Sequence, residues 1–198
     1  MWPAIGRAEV DWGKGLVTAP GIGLADRQAP NPAVARGPAR RRAEDAARAR
    51  LAAQLPAIPL AGGGTLKDKL GDPAVKARVD AAIAGAFVIA ADPETDGSWK
   101  VTMAVGLEAI RQAVAGGPRQ VTASDDAPAA AIVEGAAATP ALGYTIGGLA
   151  AATVFVTEVP AWAKGAPKLK AKTVRGAAIE AEVGKATAAT LFVILAKK

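Results

Sequence analysis

Apolar and polar positions follow a helical rhythm in parts of the first half of the chain and a strand rhythm in the second. LVTAPGIGL, residues 16 to 24, reads as a short strand. It is expected to bulge at Pro20-Gly21, because a proline cannot donate to a ladder. After the turn DRQAPNP, Ala43, Ala47 and Leu51 recur four apart, the spacing of one narrow helix face. Arg40, Arg41, Glu44, Asp45 and Arg48 lie off that stripe, and Glu44 to Arg48 is an i,i+4 pair in the favourable order. Pro38 suits a first helical turn, so the helix is placed from Pro38 to just before Pro56.

LPAIPLAGGGTLKDKLGD is a loop with room for a short helical turn. Asp72 caps a second helix with Pro73 at its first position. Val75, Val79 and Ile83 mark its buried face, and Gly85 ends it. FVIAA (87 to 91) and WKVTMAV (99 to 105) then form a hairpin about Asp96-Gly97. In the second strand Trp99, Val101, Met103 and Val105 share one face. A third helix, LEAIRQAV, buries Leu107, Ile110 and Val114 and stops at Gly116-Gly117.

From Ala141 onward the rhythm is that of strands. ATVFVTEV and TLFVIL are clear, KLKAKTV and AIEAEV alternate, and AAIVE opens the unit. No helix is expected there. The fold class is therefore α+β: helices packed on one face of a short antiparallel sheet, followed by a mainly β C-terminal domain. The divisions are a poorly structured segment 1–15, an α+β domain 16–117, a linker 118–129 and a β domain 130–198. Short strands without a covering helix in the last part offer an edge for pairing with another copy or a partner.

Composition narrows the chemistry. The chain has 198 residues and is 51% hydrophobic, but with 3 Phe, 4 Trp, 1 Tyr and 2 Met its core must be built from Ala, Val, Ile and Leu. It contains no Cys and no His. Disulfides, thiolate nucleophiles and Cys/His zinc sites are excluded, and so is the commonest general acid/base near neutral pH. The opening MWPAIGRAEVDWGKG has no apolar run of the signal-peptide kind. GAAATPALGYTIGGLAAATVFVT, between Glu134 and Glu158, is uncharged and long enough to span a bilayer. Its Gly, Ala, Thr and Pro content reads instead as β-rich soluble chain, so no transmembrane helix is expected.

A net charge of +6 permits attraction to nucleic acid or anionic lipid. The candidate polyanion contacts are Arg40, Arg41, Arg42 and Arg48, within a run that also holds Arg36 and Arg50. A solvated helix face is the simpler reading, since Glu44 and Asp45 interrupt the charge and no aromatic platform lies nearby in sequence. Gly21-x-Gly23 raises the idea of a phosphate cradle, but two prolines separate it from the helix and no third glycine follows. Asp92, Glu94, Asp96 and Gly97 imitate the first half of a calcium loop, yet Met103 stands where a bidentate Glu is needed. Ser98 and Ser124 lack a histidine to activate them. No catalytic, cofactor-binding or metal residues are assigned, and no cofactor is expected. Trp99 and Trp162 suit a carbohydrate surface only where they are exposed.

The strand VTAPGIGLA, the helix ARRRAEDAARARLAAQL, the helix PAVKARVDAAIAGA, the strand FVIAA, the Asp-Gly turn and WKVTMAVGL together resemble the lipoprotein-20 family of bacterial envelope proteins and the similar FlgT N-terminal domain. PALGYTIGGL, PKLKAKTVRGAAIEAE and TLFVIL look like the extra β region of longer relatives. The resemblance implies a small α+β domain and a structural or assembly role. It also implies a periplasmic or outer-membrane-associated location, in a mature form without its leader. In flagellar relatives the domain belongs to a ring around the motor's base. The expected partners are proteins, self-association included. Peripheral membrane contact is compatible with the reading, and nucleic acid is not expected.

Overall fold

The computed structural model of the chain describes residues 8–117 and 124–196. In order it contains β1 (Glu9–Asp11), β2 (Leu16–Gly23), α1 (Pro32–Gln54), α2 (Pro73–Ala84), β3 (Phe87–Pro93), β4 (Trp99–Gly106) and α3 (Leu107–Val114). There follow β5 (Ala130–Glu134), β6 (Thr145–Ile146), β7 (Leu149–Ala150), β8 (Thr153–Val156), β9 (Lys168–Arg175), β10 (Ala178–Ala181) and β11 (Leu191–Leu195). The class is α+β. A four-stranded antiparallel sheet, order β1-β2-β4-β3, carries α1 on one face. A seven-stranded mixed sheet, order β7-β6-β10-β9-β5-β11-β8, makes up the rest.

The first sheet and α1 meet through their smallest residues. β2 alternates half-buried Leu16, Thr18, Pro20 and Ile22 with buried Val17, Ala19, Gly21 and Gly23. The buried row faces Ala35, Ala39, Ala43, Ala47 and Leu51, spaced four apart on α1. A Cβ on Gly21 would overlap the Ala43 carbonyl oxygen and stand 2.7 Å from the Ala47 nitrogen. One on Gly23 would overlap the Ala39 carbonyl oxygen and stand 2.7 Å from the Ala43 nitrogen. Helix backbone therefore lies directly on strand backbone, and glycine is required at both positions. An i+4 row runs obliquely to the helix axis, which lets it cross the twisted strand.

Two expectations are corrected here. α1 begins at Pro32, not Pro38. The Asn31 side chain accepts from the Val34 N–H and Pro32 takes the first position, the same cap-proline pair as Asp72-Pro73 on α2. Pro38 lies inside the helix, where it leaves the Val34 carbonyl without its usual donor. Val34 is exposed, so water can serve that carbonyl. Secondly, β2 pairs with β4 without a bulge at Pro20-Gly21, in continuous register from Leu16↔Gly106 to Gly23↔Trp99. Among the described residues no strand pairs with β2 on its other side beyond Thr18, so Pro20 has no ladder bond to lose there.

Both helix ends of α2 and its buried Val75, Val79 and Ile83 match the sequence pattern. On α3, Leu107 and Ile110 are buried as expected. Ala113 is buried where Val114 was expected, and Val114 packs half-buried beside it. In the mixed sheet, β5, β11 and β8 run parallel, and their apolar runs serve two faces. Ala131, Val133, Phe155, Phe192 and Ile194 join Tyr144, Ile146, Leu169 and Ile179 in one cluster. Ile132, Val154 and Val193 pack beneath Ala163 in the other.

Of the segment 1–15 expected to be poorly structured, residues 1–7 lie outside the described residues, while Glu9–Asp11 forms β1 against β2 and the turn after it meets the second sheet. The Trp12 carbonyl accepts from the Phe155 N–H at 3.0 Å, and the Trp12 ring stands edge-on to Phe155, 5.9 Å between centroids. Trp12 touches the apolar clusters of both sheets. A second junction lies at residues 59–61. The Ala61 N–H donates to the Leu142 carbonyl and the Leu142 N–H to the Pro59 carbonyl, each at 2.9 Å. Leu142 is itself part of the first core. The outer side of β8 is thus partly occupied, and β7 at the opposite edge has two residues, so the second sheet offers little free edge. The linker expected at 118–129 falls partly outside the described residues; within it, Asp126 pairs with Lys185 at 3.3 Å. Among the described residues no helix is long and apolar enough to cross a membrane.

Asp11 fixes the turn that carries Trp12. Partial burial pushes its carboxyl up, but the N–H and ammonium of Lys14 and the N–H of Gly13 outweigh this and hold it below its ordinary value. A depressed carboxylate contributes stability that is in place above its unfolded pKa and is lost as pH falls through the folded one. Asp11→Asn should therefore narrow the stability difference between neutral and acidic pH, measured by denaturant unfolding at each pH. Gly21→Ala and Gly23→Ala should each destabilise by about 1–3 kcal/mol or more through forced backbone separation. Thermal melting reads this at about 2–4 °C per kcal/mol for a chain of this size. Gly62→Ala, with nothing within 4 Å of its Cβ, serves as the neutral control.

Candidate binding surface

The arginines of α1 were the candidate polyanion contacts, and the structure gives three of the four internal partners. Arg40 Nε donates to Glu44 Oε1 at 3.1 Å, and its guanidinium lies 5.4 Å from the centre of the Trp99 ring. Arg42 Nη2 donates to the Leu24 carbonyl at 2.7 Å. Arg48 bonds Asp45 at 3.2 Å and reaches Glu44 at 3.8 Å. Arg41 is exposed. Arg50, off the candidate set, donates to the Pro20 carbonyl at 2.6 Å.

The two carbonyl contacts share a cause. A strand residue points its N–H and C=O to the same side. Among the described residues no strand lies beside β2 beyond Thr18, and Pro20 and Leu24 accept from Arg50 and Arg42 there. The guanidinium groups keep their charge while bonding these carbonyls.

The Asp-Gly hairpin is also occupied by its own structure. The Ser98 N–H and hydroxyl donate to the two oxygens of Asp96 at 2.8 and 3.0 Å, while Ser98 Oγ accepts from the Ala25 N–H at 2.8 Å. Gly97 sits at φ +89°, with space for a Cβ only 2.8 Å from the Pro32 carbonyl oxygen. Glu94 pairs with Lys100 at 2.6 Å. Ser98 is buried, and its hydroxyl pins the β3–β4 turn to the chain leading into α1. Sequence reading missed this role. The signal was a serine two residues after an Asp in a tight turn, which is an Asx-type bond. Among the described residues no group of three or more His, Cys, Asp or Glu is placed to hold a metal.

A cleft of about 300 Å³ lies between α3 and the β6–β7 turn. Its polar wall satisfies itself. Arg111 grips Glu108 through two bonds of 2.6 Å, and Gln112 Nε2 adds a third at 2.8 Å. Of the two tryptophans considered for carbohydrate, Trp99 is half-buried under Arg40. Trp162 is 59% exposed beside a shallow groove of Pro128, Ala129, Gly165, Ala166, Pro167 and Leu191, which presents no polar side chain for sugar hydroxyls.

The remaining surface is the far side of the first sheet. α1 packs on β2 and β4 from one side, and α2 and α3 pack on each other and complete the same core. The opposite side holds half-buried Leu16, Thr18, Pro20 and Ile22 from β2 beside half-buried Lys100 and Thr102 and fully buried Ala104 of β4. Phe87, opposite Ala104 in register, extends it to the β3 edge at 51% exposure, and Ile89 follows at 48%. The register shifts between Val88 and Ala90, so Ile89 is the extra residue of a bulge. With Pro93 farther along, the bulge interrupts the regular backbone edge that strand addition needs.

No family model matches the chain, and no curated protein matches it. Replacing Arg42 by Ala should cost about 0.5–1.5 kcal/mol by removing a bond to a strand carbonyl. Arg41→Ala should stay within about 0.5 kcal/mol of wild type. Chemical denaturation of both variants distinguishes an arginine that braces the fold from one that is only solvated.

Proposed function

We propose that this protein is a non-enzymatic structural or assembly component of the bacterial cell envelope, periplasmic or outer-membrane-associated, that acts through contacts with protein surfaces. One observation carries the reading: among the described residues the helices pack on one side of the first sheet, and Phe87 and Ile89 stand exposed together on its β3 edge. Two large apolar side chains exposed side by side are a common anchor of a protein contact surface. The envelope location rests on the resemblance to the lipoprotein-20 family and the FlgT N-terminal domain.

Among the described residues, buried Ser98 and Thr190 bond within the fold, Thr190 Oγ1 accepting from the Thr187 N–H and donating to the Pro128 carbonyl, while the buried Trp99 Nε1 has no partner. The polyanion reading draws on the same helix, but its arginines largely serve the strand edge and neighbouring carboxylates.

Fractionation of native cells followed by in situ cross-linking tests the proposal. Recovery from the envelope, with cross-linked species that Phe87→Asp and Ile89→Asp abolish, is the expected outcome. Both residues are exposed, so the variants should melt near wild type. Recovery from the cytosol, or cross-links that survive both substitutions, would overturn it. Binding of the purified protein to duplex DNA or anionic vesicles that weakens steeply between 50 and 200 mM salt would point to the arginine helix instead.

A further inference from the structure

We draw no further inference here: the strongest candidate, the apolar face of the four-stranded sheet ending at Phe87 and Ile89 on its β3 edge, is the surface on which the proposed function already rests, and nothing in the structure shows what covers it.

Discussion

The distance between α1 and β2 governs the first half of this molecule. Gly21 and Gly23 remove the side chains that would hold helix and strand apart, and the alanine row on α1 presents nothing larger than a methyl group. Such an interface gains little from burying large side chains. It gains from many close backbone and methyl contacts, each worth only about 0.1–0.2 kcal/mol. The remaining stabilisation comes from the flanks. Close approach brings Arg42 and Arg50 within reach of the β2 carbonyls, and Arg40 over Trp99. A chain with few large apolar residues thus replaces core volume with proximity and with long side chains that bond the strand from its edge.

The same arrangement separates two roles that look alike in a sequence. A cluster of arginines on a helix can face an anionic partner or can face its own fold. Here the helix sits so low on the sheet that strand carbonyls are the nearest acceptors. Arg41 stays exposed on the helix, while Arg40, Arg42 and Arg48 each have a partner within the fold.

Periodicity made most of the elements legible. α2 and α3, the β3–β4 hairpin and β5, β8, β9, β10 and β11 sit where alternation and capping residues place them, while two-residue β6 and β7 are too short to show. The misses have local causes. Pro38 looked like a helix start because an interior proline is costly, yet Asn31-Pro32 offered a complete cap and packing of Ala35 and Ala39 outweighed the missing bond. Pro20 pointed to a bulge because proline cannot donate to a ladder, yet the strand stays regular against β4 through Pro20. Three-residue β1 is too short for periodicity to announce, and it is ordered by Trp12, whose partner Phe155 is remote in sequence. The pairing of Arg48 with Glu44 was legible as an i,i+4 pair, but the Arg42 bond was not, since its acceptor is a main-chain carbonyl that any sequence contains.

β11 occupies an interior place in the second sheet, between β5 and β8, although it is the last strand in chain order. Leu191–Leu195 is the sole link between β8 and the rest of the sheet among the described strands, and the apolar faces around Phe192, Val193 and Ile194 gather on both of its sides. A cut or polar substitution in this one strand would therefore open both faces of the sheet at once.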